Sequence, residues 1–196
     1  MTELVLVRHG QTDWNIEGRY QGQSDVPLNE TGLAQAQMLA QTLTGEHFDA
    51  IYSSDLIRAR QTAAALGKAL NLPVHTDRRL REINQGEWEG KIFTDIKARF
   101  TDQIAAREKD PLGIRPPGGE SVGEVAERVA AAAQDIARAH PNGRVLVVSH
   151  GLSIATLIAR ARGISLSEVY SLIPKNVSTT PVEWQSSGFS ARMESN

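Results

Sequence analysis

The sequence predicts an α/β protein, a three-layer α/β/α sandwich around a mostly parallel central sheet with a small helical lid. Three observations carry that expectation. Two apolar runs, Leu4 to Val7 and RVLVVS at residues 144 to 149, lack the polar alternation of a half-exposed strand, as strands covered on both faces do. Between them, strand-type and helix-type segments alternate, the pattern of parallel strands joined by helical crossovers. Both runs also end alike, LVLVRHG and VLVVSHG, delivering a histidine and a glycine to the carboxyl end of a strand, where such sheets collect ligands.

The elements follow in order. After the first strand, Asn29 or Thr31 can cap a helix whose apolar positions Leu33, Ala36, Leu39, Ala40 and Leu43 recur at helical spacing. DAIYS, residues 49 to 53, reads as a strand, and Leu56 to Leu70 as an alanine-rich helix ending near Asn71 and Pro73. Val74 to Thr76 makes a further short strand. Residues 91 to 115 are mixed and less periodic, and PLGIRPPGGES, residues 111 to 121, closes them. Ser121, with Glu124 three residues on, forms a capping box for a long helix whose inner face is Val125, Val129, Ala132 and Ile136, stopping before Pro141. Gly151 to Arg162 is helical. The tail holds two strand segments, around Ser178 to Gln185 and Phe189 to Met193, with SSG as their turn.

At 196 residues the chain suits one domain spanning 1–196, with a lid insertion at about 91–120. A hydrophobic fraction of 40% and a charged fraction of 22% are those of an ordinary folded globular protein. A net charge of −2 provides no global field for nucleic acid or anionic lipid, so neither is expected as a partner, and any bound anion must be held by a local cluster. With no cysteine, disulfides, thiolate metal sites and thiol nucleophiles are excluded. The start, MTELVLV, lacks the basic region and long apolar run of a secretion signal, and no segment reaches the roughly 20 apolar residues of a membrane span. The expected location is cytoplasmic.

If the two strong strands are neighbours, His9 and His150 converge. Their glycines let a ligand approach the backbone, and the helix starting near Gly151 would turn free amides toward an anion. Arg8 adds a cationic fork that fits a pair of phosphate oxygens. A metal site is the competing reading. Against it stand the adjacent arginine and the lack of any His-x-His or His-x-x-x-His spacing, so no metal and no cofactor are expected. His47, His75 and His140 fall at helix ends or surface loops and receive no role.

RHGQTDWN, then SSDLIRARQTA at residues 53 to 63, LREINQGEWEG at 80 to 90 and VSHG at 148 to 151 together resemble the histidine phosphatase superfamily, in its phosphoglycerate mutase-like branch. The likeness is ordered and spans most of the chain. It implies an α/β fold with a phosphate pocket at the carboxyl edge of the sheet. It implies that His9 is the nucleophile that becomes a phosphohistidine, that Glu82 is the proton donor, and that Arg8, Arg58 and His150 surround the transferred group. Asn15 matches a further phosphate ligand, and Gln21 and Gly22 match a phosphate-side loop. Thr12 and Arg60 stand beside these as secondary candidates with local readings of their own: Thr12 can hydrogen-bond within its loop, and Arg60 can occupy a solvated helix face. Glu87 and Glu89 compete with Glu82 as carboxylates of the same segment, and Trp88 reads as packing for that loop.

The pocket suits a metal-independent phosphomonoesterase acting on a small phosphorylated metabolite. The alternatives are a cofactor-dependent phosphoglycerate mutase and, from another class, a non-catalytic phospho-ligand binding module. Mutases resembling this chain have a longer insertion with basic residues that retain the substrate. Here Lys91, Lys97, Arg99, Arg107, Lys109 and Arg115 are interspersed with Asp95, Asp102, Glu108 and Asp110, the pattern of a solvated face, while Ile92, Phe93, Ile96 and Phe100 form an apolar side. PGGES at 117 to 121 also resembles the small phosphatases. The expected partner is a small-molecule phosphate ester, with the specific ester and the oligomeric state left open.

Overall fold

A computed structural model describes residues 1–110, 112–185 and 188–191. A six-stranded sheet runs in the order β3-β2-β4-β1-β5-β6. Its strands are β1 (Thr2–Arg8), β2 (Ala50–Ser53), β3 (Val74–Thr76), β4 (Arg144–Ser149), β5 (Thr179–Gln185) and β6 (Gly188–Ala191). β1, β2, β3 and β4 pair in parallel, whereas β5 and β6 extend the sheet antiparallel beyond β1. Residues 192 and 193 of the second tail strand, and the turn serines 186 and 187, lie outside the described residues.

The apolar strand runs have no alternation because both faces are covered. On one face Leu4, Leu6, Val145 and Val147 meet the inner sides of α6 (Val122–Ala139) and α7 (Gly151–Arg162). On the other, Val5, Val7, Leu146, Val148 and Ile51 meet α2 (Glu30–Thr42) and α3 (Ile57–Leu70). Each such side chain contributes about 1.5–3 kcal/mol on burial, so the strands that hold the site are anchored in the apolar core.

Local chemistry sets the helix ends. Ser121 and Glu124 form the expected capping box at α6, which ends at Ala139 ahead of Pro141. Asn29 rather than Thr31 caps α2, accepting from the Gly32 amide at 2.8 Å. The buried face of that helix is Gly32, Ala36 and Ala40, and Leu33, expected inside, is exposed. The cause is the cap: fixing the first turn at Asn29 turns Gly32 against the Gln11 backbone, and the neighbouring residue outward.

The less periodic stretch forms two short helices, α4 (Phe93–Arg99) and α5 (Thr101–Lys109), and the one-turn α1 (Asp13–Ile16) follows β1. Trp88, Ile96, Phe100 and Ile104 make a separate apolar cluster beneath them, with Tyr20 against it, so Trp88 is packing as expected. Phe93, placed on the same apolar side by the sequence, is largely exposed. Among the described residues, no helix is long and apolar enough to cross a membrane.

Candidate active site

The parallel register pairs Arg8 with Ser149, so the next residues, His9 and His150, emerge side by side at the carboxyl edge of the sheet. Their ring centroids are 5.2 Å apart and both side chains are buried. His9 Nδ1 lies 2.7 Å from the Gly10 carbonyl oxygen. A carbonyl only accepts, so Nδ1 carries the hydrogen and Nε2 keeps its lone pair. Burial, then the charges of Arg58 and Arg8, hold the His9 imidazole well below the ordinary 6.5. His150 is held down in the same way, by burial first and then by Arg58, His9, Arg128 and Arg8. Both rings are neutral at pH 7.

Two guanidinium groups flank them. Arg58, fully buried in the first turn of α3, donates to the carbonyls of Ser24 at 2.8 Å and Gly22 at 2.7 Å. Burial pushes it down to about 10, against the opposing pull of Glu82, Asp25 and Glu89, and it stays cationic. Arg8 donates to the Pro174 carbonyl at 2.7 Å. Gly151 lies against both that guanidinium and Ile173: a Cβ there would meet Arg8 Cζ at an ordinary 3.5 Å but crowd Ile173 Cγ2 at 3.0 Å. Among the described residues, Arg8 Nε, Arg58 Nε and both ring nitrogens of His150, one of them the donor of its neutral ring, are buried with no hydrogen-bond partner. Unmet buried donors cost about 1–3 kcal/mol each, and a multi-oxygen anion satisfies several at once.

Glu82 enters from the loop after β3. Its carboxylate accepts from the amides of Ile83 at 2.9 Å, Leu152 at 3.1 Å and Ser153 at 3.3 Å. The amides of the first turn of α7 were expected to face an external anion. Two of them instead orient this internal carboxylate, because a side-chain acid already lies at the helix N-terminus. The loop itself is pinned by Arg128, which donates to the carbonyls of Arg79, Arg81 and Glu82 at 2.6–2.9 Å and to both Glu120 oxygens at 2.8 Å.

A cavity of about 370 Å³ opens here, lined by Arg8, His9, Asn15, Gln21, Gly22, Arg58, Glu82 and Gly151 among others. All of these were candidates from the sequence. Gly22 has φ +53°, and a Cβ would fall 2.1 Å from Glu89 Oε1. Glu89, a rival for the acid position, is a strut: it accepts from the amides of Gln23 at 2.8 Å and Gln85 at 3.2 Å and from the Ser24 hydroxyl at 2.5 Å. Glu87 is exposed. Asn15 Oδ1 accepts from the Thr12 amide at 3.0 Å and its hydroxyl at 3.2 Å, which leaves the Asn15 amide hydrogens for the cavity. Thr12 therefore positions Asn15 from a buried place and does not line the cavity.

Arg60 is exposed on α3 and outside the cavity, because two residues of helix rotate it away from the face Arg58 occupies. Sequence reasoning missed Tyr20, Tyr170 and Ile173, which are also part of the lining, and Arg107, which is buried where a solvated face was expected. Tyr170 sits in a short 3₁₀ segment, Leu166–Leu172, that carries no motif.

Fold and site together define a class of α/β proteins in which two strand-end imidazoles and two guanidinium groups converge at the carboxyl edge of a mostly parallel sheet. The family model for the histidine phosphatase superfamily, branch 1, matches residues 4–196, and the chain belongs to that family. It is 35% identical over 185 residues to phosphoserine phosphatase 1 of Hydrogenobacter thermophilus, covering 94% of this chain and 88% of that one. It is also 35% identical over 187 residues to a probable phosphoglycerate mutase of Yersinia pestis, covering 95% and 87%. Among solved structures, a mycobacterial glucosyl-3-phosphoglycerate phosphatase complexed with VO3 superposes with a TM-score of 0.86 at 33% identity, covering 98% of this chain and 97% of that one.

Proposed function

We propose that the chain hydrolyses a small phosphorylated metabolite by passing its phosphoryl group through His9. The observation that carries this reading is the buried His9 ring, its Nδ1 held 2.7 Å from the Gly10 carbonyl so that Nε2 is the nitrogen left with a lone pair, in surroundings where burial, Arg58 and Arg8 favour the neutral form. Nε2 attacks phosphorus as the bond to the ester oxygen breaks, and Glu82, entering this step as the carboxylic acid, gives its proton to the departing alkoxide and becomes the carboxylate, a contribution commonly worth about 100- to 10,000-fold. Charge spread over the equatorial oxygens is met by Arg8, Arg58, His150 and the Asn15 amide, with Gln21, Gly22 and Gly151 shaping the seat. Glu82 then takes a proton from the water that cleaves the phosphohistidine, and inorganic phosphate leaves. The permanent cations already in place supply the charge that a metal would otherwise bring.

The test is rapid-quench labelling with a ³²P-labelled aryl phosphate. An acid-labile phosphoenzyme that is lost in His9→Ala supports the reading, as does phosphate release that EDTA leaves unchanged. Activity that EDTA removes and a divalent ion restores would overturn it. Turnover that depends on 2,3-bisphosphoglycerate and releases little phosphate would make the chain a mutase, and vanadate binding without turnover on a broad ester panel would make it a binding module.

A further inference from the structure

The catalytic cavity has a neighbour. Tyr20 and Tyr170 line both it and a second cavity of about 370 Å³, whose other walls include Trp88, Phe93, Ile104 and Arg107. The first cavity is bordered by guanidinium and imidazole groups, the second by four aromatic rings. Charge at one end can hold a phosphate but cannot distinguish one alcohol from another, so selection falls to the adjoining surface.

Arg107, on α5, is nine-tenths buried. Its guanidinium carbon lies 5.3 Å from the Trp88 ring centre and 5.7 Å from that of Tyr170, and it donates to the Tyr170 hydroxyl. It makes no ion pair among the described residues. A guanidinium has only donors, so the Tyr170 oxygen is the acceptor and its own hydrogen is left to donate elsewhere. Burial raises the Tyr170 hydroxyl above the ordinary 10, with Arg107 opposing, and it keeps that proton. The Trp88 indole N–H, also only a donor, is buried without a partner among the described residues. Flat apolar walls with a surplus of donors match a flat apolar guest that brings an acceptor.

We propose that the aromatic lobe is the leaving-group subsite, built for a flat, apolar alcohol carrying a hydrogen-bond acceptor, and that Arg107 is the positioning residue that presents the Tyr170 hydroxyl to it. This rests on the phosphomonoesterase reading of the adjoining lobe.

Three esters whose alcohols differ little in acidity test it: ethyl phosphate, 4-isopropylbenzyl phosphate and 4-acetylbenzyl phosphate. KM falls at least about tenfold from the ethyl to the isopropylbenzyl ester, and the acetyl group raises kcat/KM by about a further fivefold. Arg107→Met and Tyr170→Phe each bring the acetyl-to-isopropyl ratio close to one. A loosened fold would lower all three esters in parallel and leave that ratio intact, and Tyr170→Phe keeps the ring in place if the arginine variant folds poorly. Wild-type kcat/KM equal within about twofold across the esters, or a ratio that survives both substitutions, overturns the subsite while phosphate release keeps the phosphatase reading standing. Release from none of the three, with no label on His9, overturns both.

Discussion

Replacing Gly22 by alanine tests how the phosphate-side loop is held. At φ +53° an alanine is strained by about 1–2 kcal/mol. Its Cβ would also lie 2.1 Å from Glu89 Oε1 and 2.6 Å from Cδ, so that carboxylate must move. Moving it breaks its bonds to the Gln23 and Gln85 amides and the Ser24 hydroxyl. Bonds to a charged group contribute about 1.5–3 kcal/mol each, and because water replaces part of this, a total loss of about 3–4 kcal/mol is expected. Gly163→Ala is the control: φ is +65° with nothing within 4 Å of the added carbon, so it carries only the backbone strain. Urea unfolding of the two variants should differ by about 2 kcal/mol. Since Arg58 anchors on the carbonyls of Gly22 and Ser24, KM for a phosphate ester should rise about tenfold in Gly22→Ala. A Gly22→Ala protein within about 0.5 kcal/mol of the control, with unchanged KM, would refute the reasoning.

Three further outcomes are expected. Proton NMR should find His9 and His150 neutral at pH 6, since burial and arginine charge depress both; because the folded protein then binds fewer protons than the unfolded chain, the stability this adds is complete above about pH 6.5 and is lost as pH falls toward the folded values. Titration of either ring near 6.5 would contradict that. Arg128→Ala breaks a pair whose side chains are 18% and 23% exposed and frees three loop carbonyls, so it should cost about 3 kcal/mol in denaturant and lower kcat at least about tenfold through a displaced Glu82. Arg60→Ala should change stability by less than about 0.5 kcal/mol and leave kcat/KM alone, and a large kinetic effect would show that the exposed face of α3 takes part in turnover.

The site was legible where one residue type has one job. Histidine and glycine at two strand ends, and a serine three residues before a glutamate, carry their geometry in their spacing. What stayed hidden depends on which partner a side chain finds. Glu82 and Glu89 share a segment and a chemistry, and only folding gives one the α7 amides and the other the loop amides. Arg107 reads as one solvated cation among several because its burial comes from Trp88 and Tyr170, distant in sequence and attached to no regular period. Leu33 fits the helical spacing, yet a single cap rotates it outward. β5 alone runs against β1, and β6, paired antiparallel with β5, returns to the direction of β1, as hairpin-joined strands do.

The pairing of β1 with β4 has a consequence for biosynthesis. His9 is made among the first residues to leave the ribosome, whereas its companion imidazole, His150, follows only after three-quarters of the chain, and the two meet when the middle of the sheet closes. Such distant strand pairing is a slow, late event. A nascent chain ending before residue 150 therefore lacks one of the two imidazoles, and the pair exists only once β4 has joined the sheet beside β1.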